Sequence, residues 1–151
     1  MGMFLKRAYH FVKDNPDKWI TIQAYFYTAY YRYCIKHKDN AQIETLMGIR
    51  GEESPLEVDI KQLKMAKRIG TCVERVAAHT PWESLCLVRA YTARKLLEQR
   101  KIPATLYLGV GKQDGKMVAH AWLRVGKLYV TGGNGAGYAC EIGRASCRER
   151  V

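Results

Sequence analysis

At Ile102-Pro103 the texture of the chain changes. Before that point apolar residues recur at three- and four-residue steps, as on helix faces; after it they alternate, as along strands. Helices first and a sheet afterwards predict an α+β fold, not the interleaved α/β kind. In the second half, strands over Ala104–Lys112 and Met117–Val125 flank Asp114-Gly115, a two-residue hairpin signal. Gly126-Lys127 then turns into a third strand over Leu128–Thr131. The run Gly132-Gly133-Asn134-Gly135-Ala136-Gly137 lacks the strand-to-helix context and the lysine of a phosphate loop, so it reads as a plain flexible loop.

The first half divides into helices. Met3–Lys13 is a basic amphipathic segment stopped by Asp14-Asn15-Pro16-Asp17. Lys18 to about Lys38 lacks Gly and Pro and carries Trp19, Tyr25, Phe26, Tyr27, Tyr30, Tyr31 and Tyr33. Polar residues interrupt it too often for a membrane span. Ala41–Met47 predicts a short helix closed by Gly48. Ser54-Pro55-Leu56-Glu57 has the grammar of a capping box and predicts a helix to about His79. Thr80-Pro81-Trp82-Glu83 repeats that grammar, and the next helix runs through Arg100.

With 151 residues there is room for one domain. Residues 1–140 are read as that domain: a helical extension over 1–50 and a core over 54–140. Glu141–Val151 resembles the translation of a sequencing adapter and is set aside as a non-native tail. It holds three Arg and two Glu, so the body keeps +10 of the chain's +11. Such a charge favours acidic partners, but no nucleic-acid-binding module accompanies it. The five cysteines, Cys34, Cys72, Cys86, Cys140 and Cys147, form no CxxC pair and no zinc spacing. With no secretory signal in view, free thiols and a cytoplasmic location are expected. No metal and no cofactor are expected.

The chemistry concentrates at Cys86 and His120. Cys86 falls in the first turns of the helix opened at Thr80 or Ser84, where unpaired N–H groups and the helix dipole favour negative charge. His120 lies on the second strand, in Ala119-His120-Ala121-Trp122. An imidazole can take a thiol's proton and later deliver it to a leaving group. A helix-start cysteine with a strand-borne histidine is the layout of papain-like and transglutaminase-like cysteine enzymes.

The surrounding residues sharpen this. Pro81 to Ala90, Leu96-Leu97, Arg100-Lys101-Ile102-Pro103-Ala104, Leu108-Gly109-Val110 and His120-Ala121-Trp122-Leu123 with Gly126 resemble the stand-alone leader peptidases of bacterial lasso-peptide biosynthesis. The resemblance covers about Thr80 to Gly133. It implies a transglutaminase-like cysteine protease, with Cys86 the nucleophile and His120 the general base. Its substrate would be a ribosomally made precursor peptide, its partners a separate leader-recognition protein and a lasso cyclase. It also implies an Asp about a dozen residues after the histidine, yet Leu128–Asn134 contains no carboxylate. Thr131, Asn134 or a backbone carbonyl is left to orient the imidazole. The Cys86 N–H is the natural oxyanion donor. Trp82 and Trp122 either wall the cleft or pack in the core.

Two other readings stand beside this one: a different transglutaminase-like cysteine hydrolase or acyltransferase, and a non-catalytic basic peptide-binding adaptor. The aromatic helix and the positive charge are expected to form a docking surface, either for the leader-bound recognition protein or for peripheral membrane contact.

Overall fold

A computed structural model of the chain describes residues 2–46, 49–50 and 53–145. Its helices are α1 (Gly2–Asp14), α2 (Lys18–His37), α3 (Asn40–Leu46), α4 (Ile60–Ala77) and α5 (Cys86–Gln99). Its strands are β1 (Ile49–Arg50), β2 (Thr105–Gln113), β3 (Lys116–Val125), β4 (Leu128–Thr131) and β5 (Ala139–Ala145). The strands form one antiparallel sheet in the order β1-β5-β2-β3-β4, and the fold is α+β as the change of texture predicts. Met47 and Gly48, where the short third helix is expected to close, and Ser146–Val151 of the tail, Cys147 among them, lie outside the described residues.

Helix α5 is the hub. It packs against β3 and β4 of the sheet and against α2 and α4. Its Val88, Ala90, Tyr91, Ala93, Leu96 and Leu97 are all buried, so apolar residues ring it instead of lining one stripe. They meet Ile69, Val73 and Val76 of α4 and Leu106, Ala121, Leu123 and Val125 of the sheet in one core cluster. Each large aliphatic side chain buried here contributes about 1.5–3 kcal/mol. Gly70 lets α4 close on β4: a Cβ there would stand 2.6 Å from the carbonyl oxygen of Val130.

The hairpin turns fall where the sequence puts them. Asp114 and Gly115 both adopt positive φ, 53° and 77°, as a tight turn matched to strand twist requires. Helix starts differ. Ser54 does not cap a helix: its N–H donates to Thr105 Oγ1 at 2.7 Å and its hydroxyl pairs with the same oxygen at 2.6 Å. The capping box that opens α4 belongs to Asp59 and Gln62, five residues later than expected from Ser54. Ser54 is instead bound to β2, which leaves Pro55–Val58 outside the helix. Likewise Thr80 and Ser84 bond each other at 2.8 Å, and α5 begins only at Cys86.

Strand β5 includes Glu141–Ala145, part of the segment set aside as foreign, and its backbone lies between β1 and β2. No helix among the described residues is long and apolar enough to cross a membrane.

Candidate active site

Cys86 is the first residue of α5. Leu85 before it is extended, with φ −74° and ψ 178°, and no side chain caps the helix. The first-turn N–H groups are therefore left without a side-chain acceptor, the arrangement that suits an anion at this end.

The approach to Cys86 is held by polar bonds. The Thr80 hydroxyl donates to the Trp82 carbonyl at 3.0 Å and pairs with the Ser84 hydroxyl. Arg89, one turn into α5, donates from Nε to the Ser84 carbonyl at 2.7 Å. Its Nη1 donates to Glu74 Oε2 of α4 at 2.5 Å. One guanidinium thus ties the loop before Cys86 to its own helix and to α4.

His120 comes from β3. The last β3–β4 pair in this direction is Leu123 with Thr131, so His120 lies beyond the end of β4. The chain leaves β4 at Gly132, whose φ of +76° turns it past the imidazole. A Cβ at Gly132 would collide with the Ala121 carbonyl oxygen and with Trp122. The imidazole Nε2 stands 2.7 Å from the Gly132 carbonyl oxygen. A carbonyl only accepts, so Nε2 carries the proton of the neutral ring and Nδ1 keeps its lone pair. The ring stacks on Tyr138 at 4.7 Å between centroids and on Trp122 at 5.9 Å.

Cys86 and His120 line one cleft of about 450 Å³ together with Glu74, Leu85, Arg89, Gly132 and Gly133. The other residues expected at the site are spent elsewhere. Asn134 is exposed, and its side-chain oxygen accepts from the Ala136 N–H at 3.0 Å in a local turn. Thr131 is buried, and its hydroxyl has no hydrogen-bond partner among the described residues. Of the three options for the orienting role, the hydrogen bond is made by the main chain.

Neither tryptophan lines the cleft. Trp82 packs edge-on against Tyr25 at 5.0 Å, and its indole N–H donates to Thr28. Trp122 is buried, stacked on Tyr107.

Four contributors were not foreseen: Glu74, Arg89, Gly132 and Tyr138. Arg89 carried the one available signal, a cation one helical turn past the cysteine. A carbonyl has no residue identity, so Gly132 carried none.

A family model described as the transglutaminase-like superfamily matches residues 41–140. The chain belongs to the transglutaminase-like superfamily. The matched span contains Cys86, His120, Thr131 and Asn134 and leaves α1 and α2 outside. No curated protein and no solved structure matches the chain. The transglutaminase-like domain is a fold of the cysteine protease or acyltransferase type, and a helix-start cysteine sharing a cleft with a strand-borne histidine suits that chemistry.

Proposed function

We propose that this protein is a cysteine peptidase that removes the leader from a lasso-peptide precursor before macrocyclisation. One observation carries the reading: Cys86 and His120 open onto the same cleft, with the imidazole held by the Gly132 carbonyl so that Nδ1 is its basic nitrogen. The resemblance around Pro81–Ala90 and His120–Gly126 narrows the chemistry to leader removal.

The steps follow from those groups. His120 Nδ1 takes the Cys86 thiol proton, and the sulfur attacks the carbonyl carbon of the last leader residue. Negative charge on that oxygen is met by the Cys86 N–H. The carbon–nitrogen bond breaks, His120 returns its proton to the departing amine, and the core peptide leaves with a free N-terminus. The leader stays on sulfur as a thioester until water, deprotonated by the same imidazole, hydrolyses it. A cyclase then closes the freed amine onto an acidic side chain, and a separate recognition protein presents the leader, all in the cytoplasm.

Intact-mass spectrometry of the chain mixed with precursor and recognition protein, quenched in acid within one turnover, tests this. The expected species is the chain plus the mass of the leader minus one water, sensitive to hydroxylamine. Persistence of intact precursor with every component present contradicts it. Transfer of the leader to an added amine in preference to water would move the assignment to an acyltransferase.

A further inference from the structure

The helices outside the family domain present a surface that peptide cleavage does not use. None of the residues of α1 is buried. At helical spacing Phe4, Leu5, Ala8, Tyr9 and Val12 fall on one arc, with Lys6, Arg7 and Lys13 on the other. Phe4 is 78% exposed and Leu5 58%. On α2 a second exposed stripe runs through Trp19, Phe26, Tyr30 and Tyr33, at three-, four- and seven-residue steps. Beside them Phe11 of α1 and Ile22 and Phe26 of α2 line an apolar groove of about 540 Å³.

We infer that this surface docks on an anionic lipid bilayer, with α1 lying in the interface plane. The charge pattern points there. Residues 1–38 carry seven Lys and Arg against two Asp. Asp17 is held by Arg68, and Asp14 is paired with His10 at 3.0 Å. The cations that border the apolar arc therefore match lipid phosphates, while Trp19 and the tyrosines suit the headgroup boundary. No described helix is apolar enough to span, so the contact is peripheral. A protein partner would fit the same apolar arc but would not by itself call for a cationic border.

The test is co-sedimentation of the full chain with vesicles of phosphatidylglycerol and phosphatidylcholine in equal parts, against pure phosphatidylcholine. Binding to the anionic vesicles should be at least about tenfold tighter, weaken with added salt, and shift tryptophan emission to the blue as Trp19 enters the interface. Phe4→Ser with Leu5→Ser should abolish it. Lys6→Gln, Arg7→Gln and Lys13→Gln together should weaken it about tenfold. These side chains are exposed, so the fold, checked by circular dichroism, should be unchanged. Absence of binding to anionic vesicles overturns the inference. So does binding that ignores the Phe4 and Leu5 changes. No precursor is present in the assay, so its failure leaves the peptidase reading untouched.

Discussion

The imidazole Nε2 of His120 donates to the carbonyl oxygen of Gly132 at 2.7 Å, and in the proposed peptidase this bond stands where a side chain usually backs the catalytic histidine. A neutral carbonyl settles the tautomer and the ring's direction. It gives less electrostatic support to the imidazolium than a carboxylate would. Because the acceptor belongs to the main chain, whatever moves the β4–Gly132 turn moves the imidazole.

Gly132→Ala should therefore impair catalysis. The residue has positive φ, and the added methyl meets the Ala121 carbonyl and Trp122, so the turn must shift. Turnover should fall about ten- to a hundredfold with the secondary structure intact. Unchanged kinetics in a folded Gly132→Ala chain would show that this carbonyl does not position the base.

Asn134→Ala and Thr131→Val should leave turnover within about twofold, because neither side chain bonds the imidazole. Thr131→Val should also stabilise the fold by about 1 kcal/mol, since it removes a buried hydroxyl without a partner. Urea unfolding and steady-state kinetics on the same samples check both statements.

Arg89→Lys should lower kcat about tenfold with a smaller change in KM, because a lysine cannot hold both the Ser84 carbonyl and Glu74. Glu74→Gln keeps an acceptor for the guanidinium and should be milder. A larger loss from Glu74→Gln than from Arg89→Lys, which keeps the positive charge, would mean that the charge of the pair matters more than its geometry.

Alkaline pH should destabilise the fold. Burial pushes the Cys72 thiol up from its ordinary value of 9.0, and burial likewise pushes the Tyr31 phenol above its ordinary 10.0. Both groups are neutral when protonated, so the folded chain holds these protons more tightly than the unfolded one. Their contribution is complete below the unfolded values and is lost as pH rises through and past them. Tm should decline above about pH 9, and Cys72→Ala with Tyr31→Phe should flatten the decline. A wild-type Tm constant to about pH 11 would contradict this.

The broad order of the fold was legible because it rests on periodicity. The switch from helical spacing to alternation at Ile102-Pro103 and the Asp114-Gly115 turn depend only on local physics. Helix starts were not. Ser54 has a capping residue's chemistry, but it lies against β2 and spends its hydroxyl on Thr105, a partner 51 residues away. The Thr80–Leu85 segment was misplaced for the same reason, since its polar groups bond each other and Arg89. At the candidate site, Cys86 and His120 could be named because their side chains carry the chemistry. Gly132 could not, because its part is played by an atom that every residue has.

Cleavage by the Cys86→Ala chain is the most direct measurement of the central claim. Wild-type and variant chains, both shown folded by circular dichroism, are incubated with lasso precursor and leader-recognition protein, and the products are read by mass spectrometry. The wild type should release leader and core, and the variant should release neither, because no other side chain in the cleft is a thiol nucleophile. A folded Cys86→Ala chain that frees the core peptide at the wild-type rate would contradict the account.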